Sequence, residues 1–509
     1  MPGQKNLFFL LFFFFLIFLN QQEIVCQGKE SILQEIFHSN HEIREKAIHS
    51  LSAYDAKEIF SLLSPYCEDK SPDIRCYAIA ALDSLDTCES YAKIASMLED
   101  RNPSVAYRAS QALSKNIPRS KDYLLSALKS NNIQSQYYAL VAVEKGKDIS
   151  FWDCVVFLSD SSSPQIRRQA IITLGSYSWE KTDKRFSLSV GILQKKLLDS
   201  DRLVRASAIW GLGQYDYEDK IKNIQYAARD DSWEVRCAAL NALPKKEREE
   251  NLCHFLLPLF HDSHWAVRYA AVKQAGKLSC SSLLEKLHLM LLESQEKEKV
   301  KAAICSALGE IAHPSSLPFL LQVWQSSSFV ACQEADYALT TFAYLYPAQF
   351  LQIFRDKKRD LKLRCDCALL LGRVKAKSIS PYLYGIAKDT QEKEEIRFQA
   401  IVLLSDFEGQ KAIPLFREFL AQTSPYLQEA ALLALGKMQD EEKLPEIFGF
   451  LSSPNTRLKE TALWCISQFE FEKTKPFILQ ALKSKEANVS KAALLLIKHL
   501  GKEKEISTE

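Results

Sequence analysis

Asp69-Lys70-Ser71-Pro72-Asp73-Ile74-Arg75-Cys76-Tyr77-Ala78-Ile79-Ala80-Ala81-Leu82 is the stretch on which the fold turns, because its pattern returns at Asp160-Ser161-Ser162-Ser163-Pro164-Gln165-Ile166-Arg167-Arg168-Gln169-Ala170-Ile171-Ile172-Thr173-Leu174-Gly175. Each copy has an aliphatic anchor in the place of Ile74. Reading outward in both directions, the anchors are Ile43, Ile74, Val105, Ile133, Ile166, Val204, Val235, Val267, Val300, Ala331, Leu363, Ile396, Leu427, Leu458 and Val489. They span 446 residues in fourteen steps, a mean near 31.9, with extremes of 28 (Val105 to Ile133) and 38 (Ile166 to Val204). A fixed period of this size is the signature of a repeat array.

Small or apolar residues follow each anchor at +4, +7 and +8, as in Ala208, Gly211 and Leu212 after Val204 or Ala400, Leu403 and Leu404 after Ile396. That spacing lies on one face of an α-helix. Ser71-Pro72, Asn102-Pro103, Ser163-Pro164 and Ser424-Pro425 place a capping side chain and then proline just before the anchor, which is how a helix begins. Gly175, Gly213, Gly276, Gly309, Gly372 and Gly436 all fall at +9, either as helix ends or as small residues for close packing. The other half of each unit is a second amphipathic segment, such as Ile59–Leu63 or Ile413–Leu420. Two helices of roughly 11–13 residues and two short turns fill one period.

Composition agrees. The chain has 509 residues, 65 Lys+Arg against 63 Asp+Glu, and 47% hydrophobic and 25% charged residues, which excludes disorder, collagen and a multi-span membrane protein. A net charge of +2 offers no broad basic face for nucleic acid. Only 15 glycines and 17 prolines favour helices over a turn-rich sheet fold. One core rarely grows past roughly 250–300 residues, so a chain of this length needs several domains or a stack of repeats.

The unit resembles the HEAT repeat, specifically the short HEAT-like units first associated with phycobilisome lyases, over about residues 30 to 500. The most specific part is Asp-x-x-x-x-[Val/Ile]-Arg-x-x-Ala, carried by Asp69/Arg75, Asp199/Arg205, Asp230/Arg236 and Asp262/Arg268. The resemblance implies an all-α superhelix, here of about fifteen two-helix repeats over residues 29–501, between a leader at 1–28 and a polar tail at 502–509. It also implies that the Asp and Arg form a structural ladder between neighbouring units. Arg presents a planar fork to a carboxylate, and Asp favours the start of a helix. The alternative use of these charges, as a ligand groove, was weighed against that role. Ile133 and Ala331 lack the following Arg, with Gln134 and Cys332 in its place. The long interval holds the insertion Tyr177–Phe186, which reads either as a binding-edge loop or as a change of twist.

At the amino terminus, Lys5 precedes an unbroken apolar run from Leu7 to Leu19 and an abrupt polar stop, the parts of a secretory signal. Thirteen residues cover about 20 Å, short of a ~30 Å hydrocarbon core. Cys26 sits where a lipoprotein would be acylated, although Glu23-Ile24-Val25 departs from the usual small residues before it; cutting after Gly28 is the other reading. Export to the periplasm or cell envelope, with or without a lipid anchor and with no integral membrane domain, is the expectation.

The thirteen cysteines include no C-x-x-C pair, so zinc-ribbon and thioredoxin-like sites are not expected. Cys76, Cys237 and Cys365 share the +2 position, which reads as packing; a disulfide between adjacent units stays open. Cys253, His254, His261, Asp262 and His264 offer metal-ligand types, yet Asp262 and His264 also belong to the repeat's turn, so no metal and no cofactor are expected. A likeness to iron-binding HEAT hydroxylases fails on a lone His41-Glu42 pair. No phosphate loop, dinucleotide fingerprint or nucleophile elbow occurs, so the chain is not expected to be an enzyme. Trp233 and Trp265 break the repeat by standing at −2, and with His264 and Tyr226 they are the candidate protein-binding residues; each Trp lidding its own turn is the competing reading. The functional expectation is a non-catalytic scaffold for a protein partner. A cofactor-attaching, bilin-lyase-like or chaperone-type protein is the alternative.

Overall fold

The structure is a computed structural model that describes residues 29–244, 250–326, 329–483 and 487–502. The leader and Cys26 lie outside the described residues. The chain divides into two compact units, residues 1–247 and 248–509. Unit 1 contains α1 (Lys29–Ile36), α2 (His41–Ser50), α3 (Ala56–Leu63), α4 (Pro72–Leu85), α5 (Cys88–Ser96), α6 (Pro103–Lys115), α7 (Ile117–Lys129), α8 (Ile133–Gly146), α9 (Trp152–Leu158), α10 (Pro164–Ser176), α11 (Lys184–Lys196), α12 (Arg202–Gln214), α13 (Lys220–Ala227) and α14 (Trp233–Asn241). Unit 2 contains α15 (Glu250–Leu256), α16 (Trp265–Lys277), α17 (Leu284–Leu292), α18 (Glu298–Ile311), α19 (Leu317–Trp324), α20 (Phe329–Leu345), α21 (Pro347–Arg355), α22 (Leu361–Arg373), α23 (Ser380–Lys388), α24 (Glu394–Phe407), α25 (Ile413–Leu420), α26 (Pro425–Met438), α27 (Leu444–Gly449), α28 (Thr456–Ser467), α29 (Phe471–Leu482) and α30 (Ala487–Leu500). Among the described residues there is no strand.

The even-numbered helices are those that carry the anchors. Within each unit they pack side by side as one layer, and the odd-numbered helices cover it as a second. Anchors and the +4, +7 and +8 residues make the seam: Val204, Ala208 and Leu212, and Ile396, Ala400 and Leu404, are all fully buried. The +9 glycines serve close packing. A Cβ on Gly276 would lie 2.8 Å from the Cα of Ala307, and one on Gly436 would lie 2.9 Å from the Cα of Cys465. Both neighbours are the +7 residue of the next unit, so the glycine lets two helix backbones meet where any side chain would hold them apart. Helix ends are made otherwise: Asp86, Lys147, Ser279, Ala312, Lys375 and Gln439 take left-handed φ of 51–54° just beyond α4, α8, α16, α18, α22 and α26.

Helices α4, α6, α10 and α26 begin at the expected prolines. Several odd-numbered helices are shorter than the sequence suggests and run on as 3-10 turns. Ser64–Glu68 and Leu257–His261 carry Pro65 and Pro258 at their starts, where proline withholds the amide a continuing α-helix would need. One anchor also shifts. In α8 the cap is Asn132, and Gln136, not Gln134, donates to the carbonyl of Ser130 at 2.7 Å, as Arg75 does to Asp69. The equivalent of Ile74 is therefore Ser135, 4% exposed, whereas Ile133 is 52% exposed. The aliphatic pattern misled by two residues because this unit buries a serine at its anchor. With Ser135 the intervals from Val105 and to Ile166 become 30 and 31.

The charged ladder connects consecutive repeats, but its rungs run from the Arg of one unit to the acid of the next. Arg75 binds Asp100 through Nε and Nη2, both at 2.7 Å, while its Nη1 donates to the Asp69 carbonyl. Arg167 pairs likewise with Asp199, Arg205 with Asp230, Arg268 with Glu296 and Arg364 with Glu392. The turn acid also accepts an amide two residues on: Asp69 from Ser71, Asp199 from Asp201, Asp230 from Ser232 and Asp262 from His264. Arg236 donates to the carbonyls of Asp230 and Asp231. Burial alone would raise the Asp199 and Asp230 carboxyls, but their arginines and capping amides outweigh it and hold both below the usual carboxylate range. Asp69 is a turn cap whose carbonyl, not its carboxylate, meets Arg75. Asp100, Arg167, Glu296, Arg364 and Glu392 are ladder members that the strict motif passes over.

Cys253 on α15 forms a disulfide with Cys280, which caps the 3-10 turn Ser281–Leu283 leading into α17, with Cα atoms 5.6 Å apart. It ties two consecutive hairpins of unit 2. Cys67, Cys305, Cys367 and Cys465 are buried thiols; burial pushes Cys67 up to about 11 and the other three to about 12, so they pack rather than react. Among the described residues no helix is long and apolar enough to cross a membrane.

Candidate functional site

With +4, +7 and +8 in the seam, +6 lies on the half-buried or exposed side of most anchor helices, Val141 being the exception, so packing seldom requires an apolar residue there. In unit 2, six consecutive helices nevertheless carry one there: Tyr337 on α20, Leu369 on α22, Val402 on α24, Leu433 on α26, Trp464 on α28 and Leu495 on α30. Tyr337 is 72% exposed, Leu369 51%, Trp464 42% and Leu495 61%, and the other two are half-buried. A run of apolar residues along one face of successive helices is a candidate interaction surface.

Three of the charges that flank the stripe are paired within the unit. Arg373 on α22 reaches Asp336 on α20 at 2.7 Å, Lys437 pairs with Asp406, and Arg457 meets Glu429 at 2.7 Å. The stripe offers a partner apolar and aromatic contact, bordered by the charged side chains of Asp366, Glu460, Lys491 and Lys498. The ladder is interrupted over two units where the stripe begins, with Lys301 on α18 and Cys332 on α20 in the arginine's place. There α20 packs more closely on α18 than on α22, and Trp324, Phe329 and Tyr337 line an opening of about 490 Å³ beside it.

A second groove of about 550 Å³ crosses α16, α18 and α20 and contains Trp265, Tyr269, Lys273, Lys299, Glu310 and Glu334. Lys299 Nζ stands 5.7 Å from the Trp265 ring centre and Lys273 Nζ 5.5 Å from that of Tyr269. Burial raises the Glu310 carboxyl above its ordinary value against the pull of Lys277 and Lys273. Trp265 thus presents a half-buried aromatic face to a groove on the anchor helices, rather than simply closing its own turn.

The other sequence candidates fall as follows. His264 caps α16, its Nδ1 accepting from the Ala266 amide at 3.3 Å, and its ring stacks with Trp265 at 6.0 Å. Trp233 opens α14 and Tyr226 lies on α13, both exposed and both in unit 1, whereas Trp265 and His264 belong to unit 2. The Cys253–His264 stretch does not converge as a ligand set: Cys253 is spent in the disulfide, Asp262 and His264 serve the turn, and no metal-binding group of three occurs among the described residues. The +6 stripe is not among the sequence candidates, although its signal is in the sequence: apolar residues recur there in six successive repeats, whereas Trp233 and Trp265 stand out by breaking the repeat at −2.

Comparison with known proteins accords with this geometry. The HEAT-repeat profile matches residues 30–114, 153–243, 190–259, 254–339, 347–436 and 415–498. The chain belongs to the HEAT-repeat family. Among solved structures, this HEAT protein is similar to Kap95p in complex with RanGDP, at 14% identity and a TM-score of 0.51 over 94% of this chain and 78% of that one. Yeast importin-beta (Kap95p) alone matches at 13% identity and 0.46, again over 94% and 78%. Importin beta in an ammonium sulfate condition gives 14% and 0.46 over 94% and 80%. At these identities the likeness is one of fold. None of the curated proteins matches the HEAT chain in sequence.

Proposed function

We propose that this HEAT protein is an exported, non-catalytic scaffold that binds a protein partner along the solvent face of the unit 2 anchor helices. The observation that carries the reading is the run of six consecutive repeats with an apolar residue at +6, from Tyr337 to Leu495. Neighbouring helices lie about 8–10 Å apart, so the five steps span roughly 40–50 Å, enough for a long helix or an extended segment. Tyr337 and Trp464 are the residue types that dominate interface energetics, and the Trp265–Tyr269 groove adds aromatic surface to the same layer. Kap95p, which shares the fold, binds RanGDP.

Export is supported by the Leu7–Leu19 run and by the Cys253–Cys280 disulfide, a bond that persists in oxidising compartments. Mass analysis of the mature amino terminus distinguishes an acylated Cys26 from cutting after Gly28.

The test uses purified full-length protein and the partner recovered by crosslinking and mass spectrometry in the native envelope. Replacing Tyr337, Leu369 and Trp464 together with Ala is expected to weaken that partner at least about tenfold, with an unchanged circular dichroism spectrum. Unchanged affinity overturns the assignment. Trp265→Ala measures the contribution of the groove, and Trp233→Ala that of the unit 1 candidate.

A further inference from the structure

The insertion Tyr177–Phe186, the one long departure from the repeat, builds a pocket of its own in unit 1. It folds back rather than projecting. Tyr177 is buried at the end of α10 with its ring 5.5 Å from that of Trp179. Asp183 caps α11 and holds Arg185, which lies 4.7 Å over the Trp179 ring. Phe186 then meets Tyr215 edge-on at 5.8 Å. The loop thereby closes one side of a depression of about 670 Å³ whose opposite side is the ring of Trp210 on α12.

Trp210 is a platform rather than a core residue. A Cβ on Gly175 would lie 2.6 Å from the Cα of Gly211 and 3.1 Å from the Trp210 ring, so two glycines bring α10 and α12 together and the indole lies against that seam. Its outer side is exposed. The charges around it are unequal. Asp216 is paired with Lys181 at 2.6 Å, whereas Glu144 accepts from the neutral Gln169 amide at 2.7 Å and keeps its charge. Lys145 is turned to the Tyr107 hydroxyl at 2.8 Å, and Lys147 has no carboxylate partner among the described residues. Lys145, Lys147 and Lys181 thus outnumber Glu144 and Asp216 by one in the lining, and this surplus positive charge beside an open indole face suits an anionic ligand that also carries an apolar ring.

We propose that this pocket is a second recognition site, taking an extended, acidic, proline-bearing polypeptide segment. Aromatic-lined grooves receive polyproline-II segments because proline rings stack on them and the ligand loses little conformational freedom. Lys145 and Lys147 meet the carboxylates that flank the rings. The inference rests on the reading of the chain as a protein-binding scaffold, but uses a different unit and different residues.

The experiment is fluorescence anisotropy with full-length protein and labelled (Glu-Pro)6, against (Gln-Pro)6, (Glu-Ala)6 and an oligogalacturonate. Expected is saturable binding of (Glu-Pro)6 that falls with added salt and is weakened at least about fivefold both in (Gln-Pro)6 and in (Glu-Ala)6. Trp210→Ala should weaken it about tenfold or more, and Lys147→Gly, which suits the left-handed backbone there, about threefold, with helicity unchanged. Equal binding of (Glu-Ala)6, no binding of (Glu-Pro)6 up to millimolar concentration, or binding of the saccharide in place of the peptide each overturns it. Tyr337→Ala, Leu369→Ala and Trp464→Ala should leave (Glu-Pro)6 binding intact, so failure here and failure of the unit 2 surface are read separately.

Discussion

The two units are built from one repeat yet spend its free positions differently. At +6, unit 1 shows His49, Ala80, Gln111, Val141, Ile172, Trp210 and Asn241, of which only Trp210 is a large exposed apolar side chain. Unit 2 starts with Lys273 and Ser306 and then carries six apolar residues in succession. The seam, the glycine contacts and the Arg–acid rungs are common to both. The shared features are what stacking demands, and the divergent ones are what stacking leaves to function. Helix packing constrains +4, +7 and +9, while an unbroken run of apolar residues at a position that faces solvent marks surface available to a partner.

Breaking a shared feature should cost most. Arg364 and Glu392 form the most enclosed rung, with side chains only 1% and 5% exposed. Arg364→Ala strands a buried carboxylate and should destabilise unit 2 by about 3–5 kcal/mol, seen as a lowered denaturant midpoint. Reduction of Cys253–Cys280 is specific to unit 2 and should cost about 2–4 kcal/mol, lowering the melting temperature under reductant but not in a Cys253→Ser, Cys280→Ser variant. Gly436→Val forces a side chain against the Cys465 backbone and should cost about 1–3 kcal/mol, although the same change on an open helix surface would not. Acid acts on both units through their rungs. The Asp199, Asp230, Glu296 and Glu392 carboxyls are held below their unfolded values, burial opposing and the arginines prevailing. Their stabilisation is therefore present above the unfolded carboxylate range near pH 4 and is lost as pH falls through the lower folded values, so helicity should decline there in both units. Smallest is the effect of Leu369→Ala on stability, within about 0.5 kcal/mol, because its side chain supports no neighbour in the seam.

The fold was legible in the sequence because packing imposes periodicity: a buried position repeats its chemistry every 31 or 32 residues. Register failed only where the buried residue was not aliphatic, at Ser135, and a capping asparagine three residues earlier carried the correct phase. Ladder geometry was half-legible. The Arg and acid were visible, but their partners lie one repeat away, and Glu296 and Glu392 escape a motif that demands aspartate one residue earlier. The disulfide was not legible, since Cys253 and Cys280 fall at different repeat positions and no spacing rule joins them. The candidate site is written in the +6 column, but periodicity alone does not mark it, because an apolar residue recurring on a helix reads as core until the burial of +4, +7 and +8 shows that +6 lies outside the seam.

The most direct test of that division places a photocrosslinking residue at +6 along the whole chain, at Ala80, Gln111 and Asn241 in unit 1 and at Tyr337, Leu369, Val402 and Trp464 in unit 2, in protein expressed in its native setting. The account predicts one partner protein captured from the four unit 2 positions, with yield following the stripe, and little or none from the three in unit 1. Equal capture from both units, or capture from unit 1 alone, would contradict it.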